Sequence, residues 1–195
     1  MRNESNAGPT GKLRIVAGSL RGSRLAVPST AGLRPTGDRV RETLFNWLAP
    51  IVEGARCVDL FAGTGALGIE AISRGAAACT FVESDRMLAR LLAENIARLK
   101  VDNARVVETD AIGWLGGAPQ PFDIAFVDPP FGANLWIETL RRLENGWLAA
   151  DAWIYVESPV DATIAVPETW RPHREGHAGA VRFALYRRAG ADPLS

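Results

Sequence analysis

From residue 55 onward the chain alternates short apolar runs with helical stretches, and this alternation limits the possible folds more than any other feature. Cys57-Val58-Asp59-Leu60 has strand length and is followed by a helical stretch over residues 65–73 that Gly75 ends. Residues 79–83 form a second strand, and residues 86–99 a helix with Leu88, Leu91, Leu92, Ile96 and Leu99 on one face. A third strand over 104–108, a short helix over 111–115 and a fourth strand over 123–128 continue the pattern. A helix over 135–143, a fifth strand over 152–157 and two further strands over 170–175 and 181–187 complete it. Strands separated by helices predict an α/β fold, with a mostly parallel seven-stranded sheet covered on both faces. The last two strands are too close for a crossover and predict a terminal antiparallel hairpin.

The segment before this alternation is different in kind. Residues 1–12 are polar and read as disordered, while residues 13–50 hold two short β stretches, 14–17 and 23–27, around the turn Gly18-Ser19-Leu20-Arg21-Gly22. A helix follows, with Asp38 as its N-cap and Val40, Leu44 and Trp47 or Leu48 as its core stripe. With 195 residues and 47% hydrophobic content, the chain is one globular domain, residues 51–190, carrying this small extension. The formal net charge is zero, but residues 1–41 carry eight basic and two acidic side chains, a net of +6, which the remaining chain balances. A basic arm on an acidic body suits a polyanionic partner, although a solvated face would carry the same charges.

The start of the chain has no apolar signal segment, and no run approaches the roughly 20 apolar residues of a membrane span. Cys57 and Cys79 fit no metal-ligand spacing and read as buried, reduced thiols. These features predict a cytoplasmic protein with no metal and no membrane partner. Nothing in the sequence demands more than a monomer. His173 and His177 fall near the terminal hairpin, where solvated or core-edge roles are expected.

In a sheet of this type ligands bind beyond the carboxyl ends of the strands, where strand order reverses. After the first strand comes Phe61-Ala62-Gly63-Thr64-Gly65-Ala66-Leu67-Gly68, a G-x-G-x-x-G pattern that allows close backbone approach at a helix N-terminus. Glu83, 20 residues past Gly63, ends the second strand where a carboxylate can accept both hydroxyls of a ribose. A nicotinamide dinucleotide enzyme would show the same two features. Asp59 and Asp110 shift the balance, because the first suits a ligand ammonium and the second an adenine amino group. Each would also serve as a simple loop or helix cap. The fourth strand ends in Asp128-Pro129-Pro130-Phe131: a carboxylate, a stiff carbonyl-presenting step and an aromatic ring, suited to gripping a flat ring that bears an amino group.

Val58-Asp59-Leu60-Phe61-Ala62-Gly63-Thr64-Gly65 together with Asp128-Pro129-Pro130-Phe131 resembles the paired motifs of class I S-adenosylmethionine-dependent methyltransferases acting on exocyclic amino groups. Residues 13–188, including Arg34-Pro35-Thr36 and the block from Asp38 to Asn46, resemble the RsmD family of bacterial 16S ribosomal RNA guanine-N2 methyltransferases. That resemblance implies a Rossmann-like class I methyltransferase fold and S-adenosyl-L-methionine as cofactor. It implies methionine-side contacts from Asp59, Phe61, Ala62, Gly63, Thr64 and Gly65, ribose contacts from Glu83 and Ser84, and adenine contacts from Asp110 and Ala111. Asp128, Pro129, Pro130 and Phe131 become the catalytic, target-base residues. Arg14, Arg21, Arg24, Arg34, Arg39 and Arg41 become phosphate contacts to 16S rRNA, within a partly or fully assembled small ribosomal subunit. An adenine-N6 methyltransferase, a nicotinamide-dependent oxidoreductase and a non-catalytic RNA-binding assembly factor are the competing readings.

Overall fold

The computed structural model describes residues 11–28 and 37–189. β1 (Gly11–Arg14) and β2 (Arg24–Val27) form an antiparallel ribbon with Leu13 opposite Leu25, both buried. Gly11 and Lys12 are therefore strand residues rather than a disordered tail, and residues 1–10 lie outside the described residues. β1 also lies three residues earlier than the sequence pattern suggests, and its end at Arg14 has a long-range cause. The Val16 and Ala17 amides leave the ribbon and donate to the Glu70 carboxylate at 2.8 and 3.0 Å.

α1 (Asp38–Leu48) buries Val40, Leu44, Phe45 and Leu48, whereas Trp47 is half-buried and stacks on Phe183. Its N-cap is Gly37, not Asp38, because the Asp38 carboxylate turns to Arg41 at 2.9 Å instead of to a backbone amide. Beyond α1 the order is β3 (Arg56–Asp59), α2 (Ala66–Ser73), β4 (Ala78–Glu83), α3 (Arg86–Arg98), β5 (Ala104–Glu108), α4 (Ala111–Trp114) and β6 (Phe122–Val127). α5 (Trp136–Glu144), β7 (Leu148–Pro159), β8 (Trp170–Ala178) and β9 (Val181–Arg188) follow. β7 starts four residues before the expected position, since Phe122 pairs with Leu148 before a register shift brings Ile124 opposite Trp153.

These seven strands make one sheet in the order β5-β4-β3-β6-β7-β9-β8. The first five are parallel, and β9 runs antiparallel between β7 and β8. Side chains alternate between two cores, as strand geometry requires. Cys57, Phe81, Phe126 and Tyr155 pack with the ribbon, α1, α2 and α3, while Val58, Val82, Val127 and Val156 pack with α4 and α5. Burial pushes the Cys57 thiol up to about 12 and the Cys79 thiol well above its ordinary value, so both remain protonated. His173 is exposed and packs edge-on against Trp153, and His177 lies beside Glu175 at the surface.

The ribbon is fastened to the sheet domain by polar contacts as well as by Leu13, Ile15 and Leu25. Glu70, fully buried on α2, accepts from Val16, Ala17 and Arg74. One turn on, Ser73 takes the Ser19 amide on its carbonyl and the Leu20 amide on its hydroxyl, which closes the exposed end of α2. Gly18 permits this approach, since a Cβ there would lie 1.8 Å from the Ser73 carbonyl oxygen. Glu70→Ala strips the acceptor from two half-buried amides and a guanidinium. We expect a loss of about 3 kcal/mol in urea unfolding, and a loss below about 1 kcal/mol would show that water replaces the carboxylate.

Candidate active site

Strand order reverses at β3, which passes the chain outward to β4 and β5 on one side and to β6 and β7 on the other. The crevice at that reversal holds a cavity of about 950 Å³, within the range of small-molecule sites. Of the fourteen residues assigned from sequence to cofactor and target base, only Gly65 does not line it.

The three glycines of the first loop have separate tasks. Gly63 is at φ +52° on the cavity wall, and its amide donates to the Glu83 carboxylate at 2.7 Å. Gly65, at φ +77°, caps α2, and a Cβ there would meet the Leu92 side chain at 2.3 Å. Gly68 lets α2 settle on the sheet, as a Cβ would come within 2.2 Å of the Phe81 ring. Glu83 also accepts the Asp85 amide at 2.8 Å, so its position is fixed from two loops.

Asp59 is almost wholly inaccessible, with the Gly68 amide 3.3 Å from its carboxylate. Burial, opposed by the Gly68 hydrogen bond and reinforced by the charges of Glu83 and Glu157, pushes its carboxyl up to about 7. A cation placed beside it would reverse that shift. Asp110 caps α4 by accepting the Gly113 amide at 2.7 Å and lines the cavity as well, so capping does not withdraw it from the wall.

On the other side of β3, Asp128 and the buried Pro129 end β6. Phe131 begins a 3-10 turn (Phe131–Ala133), its ring centroid 5.8 Å from that of Trp136. Sequence reasoning missed several wall residues: Ile112 beside Asp110, Gly37 and Val40 from the N-cap and first turn of α1, Ala178 and Val181 flanking the β8–β9 turn, and Glu157 near the end of β7. Glu157 carried a readable signal, a carboxylate directly after an apolar run, as Asp128 is. The others arrive through tertiary packing.

The arginines divide. Arg14, Arg21, Arg24 and Arg39 are exposed, and Arg34 lies outside the described residues. Arg41 does not present a phosphate contact: it is fully buried, with its guanidinium on the Arg14 carbonyl at 2.7 Å and on Asp38. It ties α1 to the ribbon instead. Arg14 and Arg21 line a second pocket of about 410 Å³ with Arg74, under the ribbon and sharing no wall residue with the large cavity.

Comparison with known proteins agrees with this geometry. The family model described as Conserved hypothetical protein 95 matches residues 13–187. The chain is 52% identical over 190 residues to Ribosomal RNA small subunit methyltransferase D of Escherichia coli, covering 96% of each, and 45% identical to the Haemophilus influenzae protein of the same name, covering 90% of this chain and 94% of that one. A solved structure described as a putative methyltransferase from Escherichia coli superposes with a TM-score of 0.86 at 53% identity, covering 93% of this chain and all of the other. A putative RNA methyltransferase from Pyrococcus horikoshii, at 17% identity and a TM-score of 0.66, shares the fold. With a seven-stranded Rossmann-like sheet, a match over nearly its whole length and half its residues identical to a relative, the chain belongs to the RsmD family of S-adenosylmethionine-dependent methyltransferases.

Proposed function

We propose that this protein transfers a methyl group from S-adenosylmethionine to the exocyclic N2 of a guanine in 16S ribosomal RNA. The observation that carries this reading is the placement of Asp128-Pro129-Pro130-Phe131 in the same cavity as Asp59, Glu83 and Asp110. The bound cofactor supplies an electrophilic methyl carbon on a sulfonium. Asp59 and the Phe61-to-Gly65 loop hold its amino-acid end, Glu83 with Ser84 its ribose, and Asp110 with Ala111 its adenine. The buried carboxyl of Asp59, already raised in pKa, fits a cationic partner.

Guanine N2 is a poor nucleophile, because its lone pair is delocalised into the ring. Asp128 and the Pro129 carbonyl accept its two hydrogens and so turn the lone pair toward the methyl carbon. Positioning of this kind is worth up to about 7–11 kcal/mol in the best intramolecular cases. Phe131 stacks on the base, a contact worth roughly 1–3 kcal/mol in single-strand binding proteins. The proton released goes to Asp128 or to water.

A base inside a helix does not reach such a pocket, so the target is unpaired or flipped out. Residues 13–50 form the RNA-facing extension of the catalytic domain, residues 51–190, with Arg14, Arg21, Arg24, Arg34 and Arg39 meeting phosphates. The protein acts as a cytoplasmic monomer on a partly or fully assembled small subunit. Among the described residues no helix is long and apolar enough to cross a membrane.

Incubation with small subunits from cells lacking the activity, followed by nucleoside mass spectrometry, should yield N2-methylguanosine. N6-methyladenosine, or no product, would contradict the proposal. Asp59 sets a second expectation. Its carboxyl, near 7 in the free protein, must be ionised to hold an ammonium, so binding below pH 7 releases a proton. Calorimetric affinity for S-adenosylmethionine should fall by at most roughly tenfold per unit from pH 7 to pH 5, and Asp59→Asn should flatten that slope. A wild-type affinity constant over this range would contradict the assigned role.

A further inference from the structure

Five carboxylates line the large cavity, and the reading above employs four: Asp59, Glu83, Asp110 and Asp128. The fifth, Glu157, is 5% exposed and sits where β7 reaches the acceptor side. β6 and β7 run parallel, with Phe126 opposite Tyr155 and Val127 opposite Val156. One further step sets Asp128 beside Glu157. Phe126 and Tyr155 belong to the core under α1 and α2, while Val127 and Val156 belong to the opposite one. Strand alternation therefore turns Asp128 and Glu157 to the α1 face, on neighbouring strands about 4.8 Å apart.

Glu157 is held from two directions. The Tyr155 hydroxyl donates to its carboxylate at 2.7 Å, and the Trp136 indole N–H donates to its backbone carbonyl at 2.8 Å. Burial and the neighbouring Glu157 carboxylate keep that tyrosine protonated, hence a donor. The Glu157 side chain also lines the large cavity, so a ligand seated there reaches it as well.

We propose that Glu157 selects guanine by accepting its N1–H while Asp128 accepts a hydrogen of the adjacent N2 amino group. The inference rests on the guanine-N2 reading and adds to it the means of base choice. Guanine presents N1–H and N2–H₂ as neighbouring donors along one edge. Adenine presents a bare N1 lone pair next to its amino group, which would face the Glu157 carboxylate with no proton between them. A buried acceptor that requires a donor rejects such a base strongly. Asp-Pro-Pro-Phe alone grips an amino group on either ring, and the strand beside it makes the distinction.

The test uses small subunits reconstituted with 16S rRNA that carries either guanine or 2-aminopurine at the methylated position, joined by splinted ligation. 2-Aminopurine keeps the N2 amino group and converts N1 to an acceptor. The wild-type enzyme should prefer guanine in kcat/KM by about a hundredfold or more. Glu157→Gln, whose amide can donate to a bare N1, should reduce that preference at least about tenfold, with S-adenosylmethionine affinity within a few fold of wild type. A purely structural Glu157 would lower turnover on both substrates equally and leave the preference unchanged, which would overturn the inference. Equal wild-type turnover of the two substrates would overturn it even if the variant failed to fold. Absence of any wild-type methylation of the guanine substrate would instead sink the parent reading.

Discussion

The site depends on one constraint: β3 has a parallel neighbour on each side, and the connections from it leave in opposite directions. In-register pairing of Asp59 with Phe81 on β4 and with Phe126 on β6 brings three strand ends to the same level. No loop from one side can then cover the other, and the space between them becomes the cavity. Gly63 and Glu83 lock one wall through a single hydrogen bond, and Trp136 on Glu157 locks the other. α1 closes the acceptor side with Gly37 and Val40, while its Arg41 anchors the ribbon.

The electrostatic character of the cavity follows from this arrangement. Asp59 experiences the charges of both Glu83 and Glu157 while removed from water. Such a cluster is unfavourable when empty, and it favours a cationic ligand over a neutral one of the same shape. The cost of gathering the carboxylates is offset when a positive charge enters. This is the pattern expected where titratable groups serve binding rather than stability.

Much of this architecture was legible in the sequence, because it rests on local signals. Alternation of apolar runs gave the seven strands, and the spacing from Gly63 to Glu83 brought both residues to one wall of the cavity. The failures share a different cause. The capture of the Val16 and Ala17 amides by Glu70 displaced β1, Arg41 was withdrawn from solvent by the Arg14 carbonyl, and Asp38 preferred a guanidinium to a capping amide. Each is a contact between side chain and distant backbone or across a helix turn, which composition and periodicity do not encode. Gly65, expected at the ligand, lies off the cavity wall and lets α2 approach Leu92. Glu157 was overlooked although it follows an apolar run as Asp128 does, since only sheet order reveals that β7 borders β6.

The central claim is that the acceptor half of the cavity acts on a ring held by Asp128 while the cofactor half is built independently of it. Replacing Asp128 with Ala and measuring both methyl transfer to unmethylated small subunits and calorimetric affinity for S-adenosylmethionine tests this directly. The account predicts a fall in turnover on the order of a thousandfold with cofactor affinity within a few fold of wild type; turnover retained near the wild-type rate would contradict it.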